Sequence, residues 1–218
     1  MTTLPTNKTP FIKVCGQTHS STVDCAAAYG ARFVGFIFHQ GSPRSVSPET
    51  VASINSANVG RVGVFVRQGA DEILSIAEQA KLDYVQLHGK QTREDAALIG
   101  PTRIIRVLWP EHCESLAELQ QQIDDWAPYC AYYLLDAGAY GQAGGQGRRL
   151  DVSEFGKLRF PHPWILAGGL SGDNVADVLT QCRPDGLDFN SGIEIAPGIK
   201  MPDRMLSAFT AVSHACGA

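Results

Sequence analysis

FIKVCGQTHS, residues 11–20, is the stretch on which the fold turns. It opens as a short apolar strand, Phe11–Val14, and runs out into Cys15 and Gly16. An open doubly wound sheet usually carries GxGxxG directly after its first strand; here CGQTHS stands in that place. Seven more β-rich runs follow, at Phe33–Phe38, Arg61–Val66, Tyr84–Leu87, Arg103–Leu108, Tyr132–Leu135, Trp164–Ala167 and Gly186–Phe189. All are apolar on both faces, as strands buried in a parallel sheet are. Helical periods lie between them. Ile73, Ile76, Ala77 and Ala80 share one face, and Val175, Val178, Leu179 and Cys182 repeat the spacing behind Asp173 and Asn174 as candidate caps. Met205, Phe209 and Val212 mark a final helix, and Val152–Gly156 is the poorest helical segment. Strands alternating with helices about every 25 residues predict βαβ units with right-handed crossovers. Eight such units close into an α/β fold of one domain, a single (β/α)8 TIM barrel over residues 11–218 with residues 1–10 as a loose extension. The chain is short for that fold, so its helices and loops are expected to be trimmed.

Composition narrows the function classes. The chain has 218 residues, 44% hydrophobic and 18% charged, as an ordinary globular core requires. Its net charge of -4 disfavours a general nucleic-acid surface. No apolar run approaches the roughly 18 residues of a membrane helix, and the polar start MTTLPTNKTP carries no signal-peptide core. Six scattered cysteines form no CxxC pair and no zinc spacing, which points to a reducing cytoplasm and to no metal.

In such a barrel the loops after the strands carry the chemistry. Cys15 follows the first strand, Arg44 the second within HQGSPRS, His88 stands in QLHG near the end of the fourth, and Asp136 ends the sixth in LLDAGAYGQAGGQG. AGGL follows the seventh strand with Gly168 and Gly169. The eighth runs GLDFNSGIEIAPG, with Asp188 and then Asn190, Ser191 and Gly192 placed to open a short helix. Bare glycine amides beside a helix start suit a phosphate, and the loops after strands seven and eight are its usual seat in this fold. The competing reading is that these glycines only shape tight turns. Residues 138–147 hold five glycines, either as a lid over substrate or as a slack connection. Each ionisable candidate has a structural alternative too. Asp136 can cap or turn, Arg44 can be a solvated charge, His88 a hydrogen-bonded core residue, and Asp188 a loop anchor. Cys25, Cys130, Cys182 and Cys216 read as small hydrophobes.

KVCG, VGFIF followed by SPRSVS, RVGVFV, VQLHG, LLDA with a later GGQG, LAGGL followed by DNV, and GLDFNSGIE with APGIK occur here in order. With these motifs the chain resembles phosphoribosylanthranilate isomerase of tryptophan biosynthesis, from about Phe11 to the last helix. The resemblance implies a cofactor-free barrel enzyme. It would perform an Amadori rearrangement of N-(5-phosphoribosyl)anthranilate to 1-(2-carboxyphenylamino)-1-deoxyribulose 5-phosphate. It implies Cys15 as general base, Asp136 as general acid, Arg44 near the anthranilate carboxylate, and His88 and Asp188 lining the pocket. A small-molecule phosphorylated substrate is then the expected partner of a monomer, with a dimer as the alternative. The chain departs from the family pattern at Gln146 among the glycines, at LDV (150–152), at Asn190 with Ser191, and at Met201.

The chemistry makes demands of its own. Ring opening needs a proton on the departing ring oxygen, so Asp136 must titrate well above the ~3.9 of a free aspartate, most simply through burial. The opened iminium acidifies the C2 proton, which a base must remove. A free thiol with a pKa near ~8.5 is only slightly ionised at neutral pH. Regular pairing is expected to turn Lys13 away from Cys15; a Lys13 held nearby, like the substrate iminium, would draw the thiol pKa down. Two rivals stand beside this reading. One is the related isomerase of histidine synthesis, which uses an aspartate where Cys15 stands. The other is a barrel that binds a phosphorylated sugar without turning it over.

Overall fold

The computed structural model describes residues 9–56, 58–138 and 152–217. Eight strands, β1 (Phe11–Val14), β2 (Phe33–Ile37), β3 (Gly60–Phe65), β4 (Tyr84–Leu87), β5 (Ile104–Leu108), β6 (Tyr132–Asp136), β7 (Trp164–Ala167) and β8 (Gly186–Phe189), pair in chain order. β1 also pairs parallel with β8, which closes the barrel and excludes the open sheet. The strand boundaries expected from sequence hold to within one residue, and β6 runs on to include Asp136.

The helices are α1 (Ser20–Ala28), α2 (Pro48–Ser53), α3 (Ala70–Gln79), α4 (Arg93–Ile99), α5 (Leu116–Trp126), α6 (Val175–Gln181) and α7 (Pro202–Ala215). They are short, as the chain length requires. Ser47 and Ser115 cap α2 and α5, and Thr92 with Asp95 forms a reciprocal capping box on α4. The expected cap on α6 is corrected here. Asn174 is the N-cap residue, but its side chain accepts from Ser171 N and donates to Gly169 O, so it braces the preceding loop. Between β6 and β7 the weak segment is a 3-10 helix, Val152–Lys157. The proposed lid beyond Gly138, Gln146, Leu150 and Asp151, and residues 1–8 of the expected extension lie outside the described residues. Past β8 a small antiparallel hairpin appears, β9 (Glu194–Ala196) with β10 (Ile199–Lys200).

Side-chain alternation assigns each strand two jobs. Outward residues such as Val14, Val34, Phe36, Val85 and Leu135 are fully buried under the helices. Inward residues fill the barrel in layers. Phe11, Phe33, Tyr84 and Tyr132 sit at its N-terminal mouth, and Val62, Ile105, Leu134 and Ile165 lie inside with them. Nearer the C-terminal mouth the inward positions of β4, β6 and β8 turn polar with Gln86, Asp136 and Asp188, while those of β2, β3 and β7 stay apolar with Ile37, Val64 and Ala167. Arg61 at the start of β3 is buried as well, and donates to the carbonyls of Ile54, Val51 and Ala80, tying the ends of α2 and α3 to the barrel.

Candidate active site

The C-terminal mouth opens into a cavity of about 590 Å³. Its wall includes Cys15, His88, Asp136, Gly168, Gly169, Asp188, Asn190 and Ser191, so eight of the ten predicted site residues meet there. Two do not. Gly192 packs instead against the Leu170 carbonyl, where a Cβ would collide, and so presses the loop after β8 onto the loop after β7. Arg44 turns its guanidinium into Glu194, with Nε 2.9 and 3.1 Å from the two carboxylate oxygens and a terminal nitrogen 2.6 Å from Oε2.

Cys15 directly follows β1 and is buried, its N–H donating to Phe189 O on β8. The expectation that regular pairing turns Lys13 away is wrong, because residues two apart on a strand share a face. Lys13 faces inward with Cys15, is wholly buried, and forms an ion pair of 2.7 Å with Asp188 Oδ2. Gly35 on β2 makes room for both. A Cβ there would lie 2.8 Å from Cys15 Sγ and 3.3 Å from Lys13 Nζ. Asp188 Oδ1 is buried with no hydrogen-bond partner among the described residues.

Burial pushes the Cys15 thiol above its ordinary value, against the opposing pull of Lys13. Burial alone would lower the Lys13 ammonium, but Asp188 and Cys15 hold it up. Burial also raises Asp188, in spite of Lys13. Asp136 accepts a hydrogen bond from Gly138 N at 3.1 Å. Burial raises its carboxyl, with Asp188 and Glu111 adding to the effect, so it meets the direction a general acid needs. His88 is held down to about 4 by burial and by the charges of Lys13 and Arg106, and is neutral at working pH. It pairs with Gln86 at 3.3 Å and stands edge-on to Trp109.

The loops after β7 and β8 carry the expected glycine geometry. Gly168 and Gly169 take φ of 115° and 63°, and a Cβ on Gly168 would strike Gly138. Residues Ser191–Ile193 form one 3-10 turn. The Asn190 side chain is engaged, its Oδ1 accepting from Lys200 Nζ at 2.7 Å. Lys200 also pairs with Glu194 at 2.7 Å, so one carboxylate holds both Arg44 and Lys200.

Sequence reasoning missed Gln86, Trp109, His39 and Ser42 on the wall, and Glu194 and Lys200 beside it. For Gln86 and Trp109 a signal existed. Each lies two residues from an inward neighbour, His88 and Val107, and alternation alone would have found it. Cys130 and Cys182 are buried, and Cys25 and Cys216 half-buried. No helix among the described residues is long and apolar enough to cross a membrane.

Comparison with known proteins agrees with this geometry. A family model described as N-(5'-phosphoribosyl)anthranilate (PRA) isomerase matches residues 12–211. The N-(5'-phosphoribosyl)anthranilate isomerase of Desulfovibrio desulfuricans is 48% identical, over 95% of this chain and 97% of its own. The crystal structure of phosphoribosyl anthranilate isomerase from Thermus thermophilus superposes with a TM-score of 0.76 at 31% identity, covering 94% of this chain and 98% of that one. A phosphoribosyl anthranilate isomerase in complex with reduced 1-(o-carboxyphenylamino)-1-deoxyribulose 5-phosphate matches with a TM-score of 0.77 at 26% identity, over 94% and 99%.

Proposed function

Because this chain belongs to the N-(5'-phosphoribosyl)anthranilate isomerase family, we propose that Cys15 and Asp136 are the base and the acid of the isomerisation it performs. That reaction, a step of tryptophan biosynthesis, converts N-(5-phosphoribosyl)anthranilate to 1-(2-carboxyphenylamino)-1-deoxyribulose 5-phosphate. The rival from histidine synthesis falls with the family match. One observation carries the assignment of roles: Cys15 and Asp136 line the same cavity at the catalytic mouth of the barrel.

The sequence of proton transfers follows. Protonated Asp136 gives its proton to the ring oxygen as the C1–O bond breaks, leaving an iminium and a free hydroxyl. The Cys15 thiolate takes the C2 proton, its bonding pair moves to form the C1–C2 double bond, and the iminium nitrogen is neutralised. The enolamine then tautomerises to the ketone. Two proton-transfer groups suffice, and no cofactor enters.

The amides of Gly168, Gly169, Asn190, Ser191 and Gly192 are the proposed phosphate seat. Their two loops are locked together at Gly192, which favours a preformed cradle. Arg44 is proposed to meet the anthranilate carboxylate with the edge of its guanidinium that Glu194 leaves open. His88 and Asp188 line the pocket, and Trp109 adds an apolar face. The enzyme is proposed to act in the cytoplasm as a monomer of one barrel domain.

Turnover of N-(5-phosphoribosyl)anthranilate by Cys15→Ala and Asp136→Ala tests the roles. Each should lose most activity while still binding product, and full activity in either removes that residue from the mechanism. Arg44→Ala should raise KM, and an unchanged KM removes it from the pocket.

A further inference from the structure

Burial does opposite things to the two proton-transfer groups. It raises the Asp136 carboxyl, which helps an acid, and it raises the Cys15 thiol, which hinders a base. A site that desolvates both therefore needs a correction that is local to the thiol. We propose that Lys13 and Asp188 act as one buried dipole, positive end at Cys15 and negative end toward Asp136, that holds a proton on the acid and off the base. The proposal rests on the roles given to Cys15 and Asp136.

The geometry comes from strand order. Lys13 lies two residues before Cys15 on the inward face of β1. Its ammonium and the Cys15 sulfur both border the space kept free by Gly35, at 3.3 and 2.8 Å from the point a Cβ would occupy. Asp188 is in direct register with Lys13 across the β1–β8 seam and closes the 2.7 Å pair. From β8 only β7 intervenes before β6, which carries Asp136. Going round the barrel, the positive charge thus stands with the sulfur and the negative charge on the side of the carboxyl. Lys13 is wholly buried and Asp188, on the cavity wall, nearly so, and the field of the pair is therefore weakly screened.

The balance of charges has the same sense. At Cys15 the pull of Lys13 outweighs the push of Asp188, and at Asp136 the order reverses. The other charges near the thiol are Lys200 from β10 and Arg44 from the loop after β2. Those near Asp136 are Glu111 and the Gly138 N–H. His88, directly after β4, also feels Lys13 and stays neutral. Arg44 and Lys200 are both paired with Glu194, whereas Lys13 and Asp188 pair across the β1–β8 seam, from the strand before the sulfur toward the carboxyl's side of the barrel. These two are accordingly positioning residues, acting through the groups that exchange protons with substrate.

Each working group acts in its minority form, the thiol as thiolate and the carboxyl as acid. Between the two titrations, the fraction of enzyme in that state falls tenfold for each pH unit by which they separate. The test is the isosteric neutral pair, Lys13→Met with Asp188→Asn, which leaves no buried charge behind. Two readouts apply: the pH profile of kcat/KM, and the pH midpoint of Cys15 alkylation by iodoacetamide, followed on its own peptide. The alkylation midpoint should rise by about one pH unit or more, and the acidic limb of the profile, set by Asp136, should fall by a similar amount. The bell should broaden on both sides while its maximum drops about a hundredfold. A loss of rate with both limbs and the midpoint unmoved would reduce the pair to packing and overturn the proposal. Asp188→Asn alone, which can still accept from Lys13, is the second variant. It should lower the acidic limb without raising the thiol midpoint, and the reverse pattern overturns the dipole. The alkylation midpoint is independent of turnover. Failure of the Cys15 and Asp136 roles, seen as retained activity in Cys15→Ala or Asp136→Ala, is therefore distinguishable from failure of the dipole.

Discussion

At the N-terminal mouth of the barrel, Phe11, Phe33, Tyr84 and Tyr132 close edge to face with ring centroids 5.1 to 6.0 Å apart. Arg32 lies over two of those rings, 5.1 and 5.3 Å from their centroids. Four residues further along the same strands, the same inward face carries Cys15, Ile37, His88 and Asp136. β1 passes from ring to ammonium to thiol, β4 from ring to amide to imidazole, and β6 from ring through Leu134 to carboxyl. One mouth therefore gathers apolar contact area, where each aromatic pair adds about 0.5–1.5 kcal/mol beyond burial. The other gathers desolvated ionisable groups, which cost stability unless they are paired. The strands divide cohesion and chemistry along their own length.

The largest effects should separate the two mouths cleanly. Asp136→Asn should cut kcat by about 10² to 10⁴ while the thermal midpoint does not fall, since it removes a carboxylate that burial disfavours. Turnover and calorimetry on one preparation check both halves. A stability loss with activity kept would break the division. Phe33→Ala, at the opposite mouth, should cost about 3–5 kcal/mol in urea unfolding and leave kcat of the folded fraction unchanged.

His88 gives a pH signature belonging to the catalytic mouth alone. Its folded value is lowered to about 4 from 6.5, so between those values the unfolded chain holds a proton that the folded one rejects. Stability is fully present above pH 6.5 and should fall on acidification towards 4, by about 3 kcal/mol. His88→Gln should flatten that part of the urea-stability profile, and an unchanged slope refutes the assignment. Gly35→Ala should cost about 1–3 kcal/mol by overpacking, with a loss of turnover, because the new methyl meets Cys15 Sγ and Lys13 Nζ. The smallest change is expected from Arg32→Ala, about 0.5–1 kcal/mol in stability with no effect on KM.

The fold was readable because parallel strands buried on both faces leave continuous β-branched and aromatic runs, and Phe11–Val14 or Trp164–Ala167 could be bounded from sequence without error. The β9–β10 hairpin left no such trace. Its strands are three and two residues long, too short for any period to register. The thiol, the carboxyl and the glycine loops were found because they follow strands on the functional mouth. Glu194 was not, because its meaning lies in partners. Arg44 sits 150 positions away in the chain, and no local pattern announces a contact at that separation. Lys13 was seen but turned the wrong way, although alternation alone sets it beside Cys15.

Lys13 and its counter-ion are 175 positions apart. During synthesis the lysine leaves the ribosome long before the aspartate exists. Until residue 188 emerges, burying that ammonium alone would cost about 3–5 kcal/mol, so the nascent first strand stays wet and the ring stays open. A message cut short anywhere before its eighth strand yields a polypeptide with no dry place for its lysine, which proteases can take while it is still unfolded.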